Sequence, residues 1–475
     1  MLNIICEVSK YLIVIFMLLY TVKCFSVLGS KDEKDKRKKL NKQIVYVFMI
    51  HFLCYLTMYL REGSVKLLIF YGIQIFVAVL YMVLFHSIYK ESSRLLTNNT
   101  AFLLLIGYTM LTRLNFNMAI KQFVFATVAL TITAFIPYIM SRWKNLRNMG
   151  VFYGIAGIFL LLTVFIPGLG YESYGSRNWI KLGSLSLQPM EFVKILFVFF
   201  VACMLVKANT FMDIMANAVI SAVFMLVLVL EKDLGAAVIF YITYVCMVYL
   251  ATSRPIFLIG GIGLGVGAVL AAATLFKDTL FYHVMVRVEA WKDPFKYIDT
   301  GGYQVSQSLF AIGTGGYMGT GLYMGKADYI PVSESDFIFS AICEEMGVIF
   351  GLCLILVMLS VYISFAHIAM KVRQPFYKYA AFGYSILFII QTLLNLGGVT
   401  KFIPSTGVTL PLVSYGVSSV TSTLVIFAII QGVYVIHNKE VIKHEKEKEQ
   451  IARQQAALNA RAGIPDQGEG ASPQQ

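Results

Sequence analysis

Long apolar runs dominate the chain, and short polar or charged stretches separate them. A run of about 20 apolar residues lets a helix cross a lipid bilayer. The pattern therefore predicts an all-α polytopic membrane protein with about 13 transmembrane helices. The predicted segments lie near residues 11–28, 43–60, 65–89, 100–114, 119–140, 147–167, 189–206, 212–230, 233–252, 255–276, 337–371, 378–400 and 409–437.

Two of these segments are unusual in length. Residues 100–114 are short for a membrane span, and residues 337–371 are long enough to tilt or to extend beyond the bilayer. The first segment, 11–28, has no basic region before it and no small-residue cleavage site after it. It is therefore predicted to be retained in the membrane rather than removed as a signal peptide.

Positive charge is concentrated in residues 30–42, 141–148 and 371–378 and in the tail from Asn438. If successive helices alternate in direction, all of these stretches fall on one side of the membrane, which the positive-inside rule assigns to the cytoplasm. The N-terminus is then outside and the C-terminus is cytoplasmic. The formal net charge of +13 is explained by this topology, so nucleic-acid binding is not expected.

Composition agrees with a membrane protein that lacks a large soluble domain. The chain is 58% hydrophobic and 14% charged, whereas a soluble domain is about half apolar and a quarter charged. The seven cysteines fall mostly within apolar runs and form no C-x-x-C pair. They are therefore interpreted as small core residues rather than as disulfide or zinc ligands.

The same topology places three loops of functional interest outside, at 168–188, 277–336 and 401–408, of which 277–336 is long. The loop 277–336 contains a glycine-rich stretch without a phosphate-binding motif. Within it, S-Q-S-L-F-A-I resembles a short amphipathic helix lying on the surface. The loop is either a flexible lid or only a long connection.

Asp336 ends this loop in the run P-V-S-E-S-D-F-I-F-S-A-I-C-E-E-M-G, residues 331–347. It lies at the predicted boundary between membrane and water, where a carboxylate is costly and usually functional. Glu344 and Glu345 follow about 12 Å further along the helix. The alternative is that Ser335 and Asp336 only cap the helix N-terminus.

Other charged residues near the predicted outer ends of helices have both a structural and a functional interpretation. Glu191 and Lys194 lie three residues apart on one helix face, so they form either an internal ion pair or, with Arg177 in the preceding loop, a cationic site for an anionic headgroup. Asp233, with Lys232, is favoured as a helix cap and interfacial anchor.

Several motifs in fixed order give the chain a family resemblance. They are G-S-R-N-W-I with Q-P-M-E-F-V-K, D-L-G at 233–235, D-P with G-G-Y-Q-V-S-Q-S, S-D-F-I-F-S-A-I-C-E-E-M-G, and G-V-T-L-P-L-V-S-Y-G-V-S-S. The chain resembles the SEDS family of shape, elongation, division and sporulation proteins, the FtsW, RodA and SpoVE group, over about residues 100–437.

This resemblance implies a ten-helix core and peptidoglycan glycosyltransferase activity, polymerising lipid II at the outer face of the bacterial cytoplasmic membrane. By motif, Asp336 matches the family's essential aspartate. Arg177, Lys194, Arg287 and Gln304 match positions that face the same outer cavity and would bind substrate. A class B penicillin-binding transpeptidase is the implied partner. A divalent cation, Mg²⁺ or Mn²⁺, would help to stabilise the pyrophosphate.

The expected organisation is an N-terminal membrane extension of about three helices (1–95), a SEDS core (96–437) and a charged, then disordered, cytoplasmic tail (438–475). Val332, Glu334 and Val417 depart from the family motifs, which have an acid, a histidine and a glycine at these three positions. G-V-T-L-P leans toward the division branch. A lipid II flippase and a non-catalytic scaffold that recruits a transpeptidase are the two alternative functions, the first suggested by Glu344 and Glu345.

Overall fold

The computed structural model describes residues 2–173, 175–183, 185–275 and 282–461. Within these ranges, eleven helices are long and apolar enough to cross a membrane, and two shorter helices, Gly150–Phe165 and Pro255–Ala271, are also apolar. Together they correspond one to one with the predicted segments, which confirms the polytopic helical fold. The orientation of the termini stays a prediction.

Among the described residues, the first half of the chain forms eight α-helices. They are α1 (Leu2–Leu28), α2 (Glu33–Glu62), α3 (Val65–Ile88), α4 (Arg94–Leu114), α5 (Phe116–Thr133), α6 (Ile136–Arg142), α7 (Gly150–Leu162) and α8 (Pro189–Lys207).

The described part of the second half forms nine more α-helices. They are α9 (Phe211–Leu230), α10 (Leu234–Thr252), α11 (Pro255–Leu275), α12 (Tyr282–Lys292), α13 (Tyr303–Gly315), α14 (Ile338–Met346), α15 (Val348–Lys371), α16 (Pro375–Val399) and α17 (Val417–Arg461).

The basic stretch 30–42, expected to be a loop, is mostly helical because α2 begins at Glu33. The Asp32 side chain caps this helix by accepting hydrogen bonds from the backbone N–H groups of Lys34 and Asp35. At the other end, Gly63 stops the helix in a left-handed conformation with φ of 71°. Gly63 and Ser64, which are not helical, then connect α2 to α3.

Helix α4 is the central element of the N-terminal half, and the prediction that it is short is wrong. It has 21 residues, and its membrane-crossing window is wholly buried in protein. Its first two turns contain several polar residues, so the apolar run from which the segment was predicted is shorter than the helix. These polar groups are tolerated because they bond to neighbouring helices rather than face lipid.

The predicted helix over 337–371 is in fact two helices, α14 and α15, which meet at Gly347. Gly347 has φ of +92°, and a Cβ there would lie 2.4 Å from the Tyr317 carbonyl oxygen. The loop that precedes α14 forms hydrogen bonds with the end of this helix: the backbone N–H groups of Thr320 and Gly321 donate to the carbonyls of Glu344 and Glu345. The carbonyls at the end of α14 are therefore satisfied by this loop.

The loop 168–188 contains a small antiparallel sheet that the sequence did not indicate. Its strands are β1 (Gly170–Ser173), β2 (Ser176–Leu182) and β3 (Leu185–Leu187), in the order β1-β2-β3. In the register, Gly170 pairs with Ile180, which in turn pairs with Leu187.

The predicted amphipathic helix is α13, but it does not simply lie on the surface. Ser306 and Ser308 are fully buried, and the Ser308 hydroxyl lies 2.6 Å from that of Ser340 in α14. At the C-terminal end, α17 runs without interruption from the bundle into the charged tail. The end predicted to be disordered, 462–475, lies outside the described residues.

Candidate active site at the Asp336 loop

Asp336 lies in a turn that ends just before α14. The N-cap of α14 is Phe337, which makes no side-chain capping bond, so the proposed capping role of Asp336 is not what the structure contains. Instead, Asn395 in α16 holds the turn. Its Nδ2 donates to the Asp336 carbonyl at 2.9 Å and to the Val408 carbonyl at 2.7 Å.

The segment after α16 fixes the same turn from another side. The Ser414 hydroxyl donates to the Ser335 carbonyl at 2.5 Å, and the Tyr415 N–H donates to the Glu334 carbonyl at 2.8 Å. Val332, one of the departures from the family motif, has φ of +59°, which is unusual for a β-branched residue. The backbone that presents Asp336 is thus held by several independent bonds.

Arg287, from α12, shares the space in front of Asp336. A Cβ placed on Gly407 would lie 3.6 Å from Asp336 Oδ2 and 3.9 Å from both Nη1 and Nη2 of Arg287. Arg287 Nη1 also lies 3.4 Å from the Ser405 carbonyl oxygen. Gly407 therefore lies beside one carboxylate and one guanidinium group, and the space in front of these two groups is called the cleft below.

The electrostatics of Asp336 suit a proton acceptor. Burial raises the pKa of its carboxyl group and outweighs the opposing effects of the Arg287 charge and a hydrogen bond from Ser335. The nearby Asp233 raises this pKa further. A carboxylate with a raised pKa is a stronger base than an exposed one, which is the usual requirement for general base catalysis.

Asp233 has the capping role favoured from the sequence. Its Oδ1 accepts from the Ala236 N–H at 3.0 Å. Its Oδ2 accepts from Asn178 Nδ2 at 2.7 Å and Gln188 Nε2 at 3.2 Å. These bonds join the small sheet to the starts of α8 and α10, so Asp233 is a structural junction beside the cleft.

Glu191 and Lys194 form the internal ion pair. Lys194 Nζ lies 2.5 Å from Glu191 Oε2 and 3.0 Å from Gln391 Oε1, and Lys194 is only 2% exposed. The Ser422 hydroxyl completes the cluster by donating to Glu191 at 2.7 Å. The expectation that Lys194 faces the outer cavity is therefore not met, because its ammonium group is occupied within the bundle.

Arg177 and Gln304 complete the expected set. Arg177 Nε donates to the Val164 carbonyl at 3.1 Å, and its backbone N–H donates to the Glu231 carbonyl, so the residue ties the sheet to the helices. Gln304 is half-buried in the first turn of α13. Of the five predicted residues, the structure brings Asp336 and Arg287 to one cleft.

Two residues near the site did not stand out as site residues in the sequence. Asn395, a polar residue inside the apolar helix α16, bonds directly to the Asp336 backbone. Glu231 is fully buried, and neither of its carboxylate oxygens has a hydrogen-bond partner. Burial, with a smaller effect of Asp233, raises the pKa of Glu231 to about 9, so this carboxyl is neutral at pH 7.

Glu344 and Glu345 serve the neighbouring loop. Glu344 Oε1 accepts from the Lys326 N–H at 2.8 Å, and Glu345 Oε1 pairs with Arg113 Nε at 2.8 Å. In the part of the chain that the structure describes, no group of three or more His, Cys, Asp or Glu residues is arranged to hold a metal ion.

Comparisons with known proteins give the family. The family model described as "cell cycle protein" for FtsW, RodA and SpoVE matches residues 99–439. The peptidoglycan glycosyltransferase RodA of Mycobacterium tuberculosis (strain ATCC 25618 / H37Rv) is 36% identical over 331 residues, which cover 65% of this chain and 69% of the relative. The probable peptidoglycan glycosyltransferase FtsW of Bacillus subtilis (strain 168) is 31% identical over 334 residues, covering 67% and 81%.

Solved structures agree on the fold. Thermus thermophilus RodA, the rod shape determining protein, matches with a TM-score of 0.54 at 22% identity, covering 72% of this chain and 96% of that one. A chain from a peptidoglycan synthase complex matches with a TM-score of 0.60 at 22% identity, covering 73% and 98%. These observations identify an integral, multi-pass protein of the bacterial cytoplasmic membrane that belongs to the FtsW, RodA and SpoVE family of cell cycle proteins.

Proposed function

We propose that this protein is a peptidoglycan glycosyltransferase that polymerises lipid II into glycan strands at the outer face of the cytoplasmic membrane. The observation that carries the proposal is the cleft at Gly407, which combines a carboxylate and a guanidinium group. Membership of a family whose relatives are named peptidoglycan glycosyltransferases supports the reaction type.

In this mechanism the Asp336 carboxylate removes the proton from the acceptor sugar hydroxyl. The hydroxyl oxygen forms a bond to the anomeric carbon of the donor sugar, while the bond from that carbon to the pyrophosphate oxygen breaks. Undecaprenyl pyrophosphate leaves with the bonding electrons. The proton stays on Asp336 until water removes it, and the raised pKa of this carboxyl favours the transfer.

Arg287 supplies positive charge for the departing pyrophosphate. A guanidinium group donates several hydrogen bonds in a fixed plane and suits phosphate oxygens. Its position beside Asp336 at Gly407 supports this role. Arg177 and Lys194 act indirectly in this proposal: Arg177 holds the sheet, and Lys194 neutralises Glu191 in the bundle below. Gln304 stays a proposed contact to the substrate.

A divalent cation fits the chemistry of the cleft in one way. Mg²⁺ is commonly held by one or two carboxylates together with substrate phosphates. Asp233 is not free to hold it, because its oxygens already accept three hydrogen bonds. A cation bound to Asp336 would lower the pKa of the proposed base, so the cation would be held mainly by the substrate phosphates. When bound, the cation would neutralise charge on the pyrophosphate.

The proposed partner is a class B penicillin-binding transpeptidase, which would crosslink the new strands. The match to a chain from a peptidoglycan synthase complex supports this partnership. The relatives include both RodA and FtsW proteins, so a role in cell shape and a role in division are both represented. Glu344 and Glu345, which suggested a flippase, already bond to the loop 323–326 and to Arg113.

The test is polymer formation from labelled lipid II by the purified protein, with and without the transpeptidase. Asp336→Asn, which removes the base with little change in size, is expected to lower the polymerisation rate by about 10²–10⁴-fold. Asp299→Asn is the matched control, because Asp299 is an exposed aspartate in the same loop and should have no effect.

Full polymerase activity in Asp336→Asn would refute the assignment of the base. If neither the wild type nor the variant made polymer while both stayed folded and bound the transpeptidase, the glycosyltransferase proposal would fail in favour of the scaffold. Translocation of lipid II without polymer would instead establish the flippase.

A further inference from the structure

The three N-terminal helices are joined to the rest of the bundle by polar contacts as well as by apolar packing. Side chains of α1 and α2 form hydrogen bonds to the buried polar face of α4. Three of these bonds are Tyr20–Asn99 at 2.6 Å, His51–Thr109 at 3.2 Å and Tyr55–Thr112 at 2.9 Å. They recur along the length of α4, so the helix is held in register by the N-terminal helices.

Arg113 follows Thr112 directly and is the hub of a second set of contacts. Its side chain is 8% exposed, and its Nε pairs with Glu345 Oε1 at 2.8 Å. Its Nη2 donates to the Gly325 carbonyl at 3.3 Å, and its guanidinium group lies 4.8 Å from the centre of the Tyr323 ring. Arg113 thus joins α4 to α14 and to the loop between α13 and α14.

Tyr323 links this hub back to the N-terminal helices. Its hydroxyl donates to Glu62 Oε2, at the end of α2, at 2.6 Å. Its backbone N–H donates to Glu345 Oε2 at 3.3 Å. Tyr323 also has φ of +63°, a conformation that a non-glycine residue keeps only when its surroundings hold it. The loop is therefore tied at one point both to α2 and to α14.

Helix α14 connects these contacts to the cleft. All nine of its residues are buried, Glu345 lies in its last turn, and Asp336 lies two residues before its start. A short helix packed on all sides moves as one body. A shift at Glu345 is therefore passed to the turn that carries Asp336.

We infer that the N-terminal helices position Asp336 through the chain of contacts from Glu62 to Tyr323, Arg113 and Glu345, so that these four residues are positioning residues of the proposed glycosyltransferase. The family match begins at residue 99, so Glu62 lies in the part of this chain outside it. The inference rests on the proposed function for its catalytic consequence, and its structural part can be measured separately.

The test uses the full-length protein with Glu62→Ala, Glu62→Gln and Tyr323→Phe. Tyr323→Phe keeps the ring under Arg113 and removes only the hydroxyl, and Glu62→Gln keeps an oxygen that can accept its hydrogen bond. Tyr329→Phe is the control, because Tyr329 is an exposed tyrosine in the same loop. Two quantities are measured: kcat and KM for lipid II polymerisation, and hydrogen–deuterium exchange of the backbone at residues 331–337.

Glu62→Ala and Tyr323→Phe are each expected to lower kcat roughly threefold to tenfold with KM unchanged, the size of effect that one lost hydrogen bond allows. Both should speed exchange at 331–337, and the double variant should equal either single variant. Glu62→Gln and Tyr329→Phe should match the wild type. The inference is overturned if exchange rises only within 317–330 while kcat and exchange at 331–337 stay as in the wild type.

The two proposals fail in different ways. If the wild type makes no polymer, the glycosyltransferase proposal fails, but the exchange experiment still tests the link between Glu62 and the Asp336 turn. If the wild type polymerises and Asp336→Asn does not, while the Glu62 and Tyr323 variants behave as the wild type in both measurements, only the inference fails.

Discussion

Asp336 is a half-buried carboxyl whose charge state depends on its neighbours. Burial raises its pKa and Arg287 lowers it, with burial the larger effect. A base must be deprotonated to act, so activity should be lost as the pH falls through this raised pKa. The acidic limb of the profile of kcat/KM against pH is therefore expected above the usual aspartate value of about 3.9.

Arg287 gives this pH dependence a direct test. Arg287→Gln removes the positive charge that favours the ionised carboxylate, so the pKa of Asp336 should rise and the acidic limb should move to higher pH. Arg287→Lys keeps the charge and should leave the limb near its wild-type position while reducing the maximal rate. The measurement is the rate of lipid II polymerisation across the pH range. A limb that does not move in Arg287→Gln would show that the two groups are not electrostatically coupled.

At the scale of residues, the sequence identifies site residues that lie in a family motif. It does not show which charged side chains are buried, and the role of some residues depends on that burial. Asp336 and Arg287 were both identified by resemblance, and they meet at one cleft. Lys194 could be read as a cavity lysine or as half of an internal pair, because the sequence does not show that its amine is enclosed. Glu231 is unusual because its buried carboxylate oxygens have no hydrogen-bond partner in the folded protein. No local sequence pattern reveals this.

At the scale of elements, the break at Gly347 ends α14 and lets the preceding loop form hydrogen bonds with its last carbonyl groups. Gly347→Ala should destabilise the protein, because a backbone with φ of 92° and ψ of 159° is essentially restricted to glycine and costs another residue about 1–3 kcal/mol, and the added Cβ would overlap the Tyr317 carbonyl oxygen. Gly313→Ala is the control, since nothing lies within 4 Å of a Cβ there and alanine in a helix is worth up to about 1 kcal/mol.

The measurement is the melting temperature of each purified variant, compared with that of the wild type. Gly347→Ala should melt at a lower temperature than the wild type, and Gly313→Ala should melt at the same temperature or higher. Equal melting temperatures for the wild type and Gly347→Ala would mean that α14 and α15 can join into one helix, as the sequence pattern suggested.

The elements show why the sequence predicted the spans well and their interruptions poorly. Long apolar runs are a strong signal, and all thirteen predicted segments have a helical counterpart. The break at Gly347 lies inside such a run, and it depends on hydrogen bonds from residues 320 and 321. The strands in 168–188 are only three to seven residues long, too short for alternation of polar and apolar residues to stand out.

At the scale of the whole molecule, the N-terminal helices cover the polar face of α4, which would be unstable in contact with lipid. Asn98, Asn99, Thr109 and Thr112 on α4 are buried, and each forms a hydrogen bond with α1 or α2. Without residues 1–92, these side chains would face hydrocarbon. Thr109 and Thr112 would keep their hydrogen bonds to carbonyls of α4 itself, but Asn98 and the Asn99 carbonyl oxygen would lose their partners, and an unpaired polar group costs several kcal/mol there. The extension is thus a part of the bundle, although it lies outside the matched family region.

Removal of residues 1–92 should therefore prevent accumulation of the protein in the membrane, measured as folded, monodisperse protein after extraction. The same truncated chain with Asn98→Leu, Asn99→Leu, Thr109→Val and Thr112→Val should accumulate better, because its exposed face is then apolar. In the full-length chain these four changes should have the opposite effect, because Tyr20, Gln43, His51 and Tyr55 each lose the hydrogen bond that they make to α4. Equal accumulation of the two truncated chains would show that the polar face of α4 does not require the N-terminal helices.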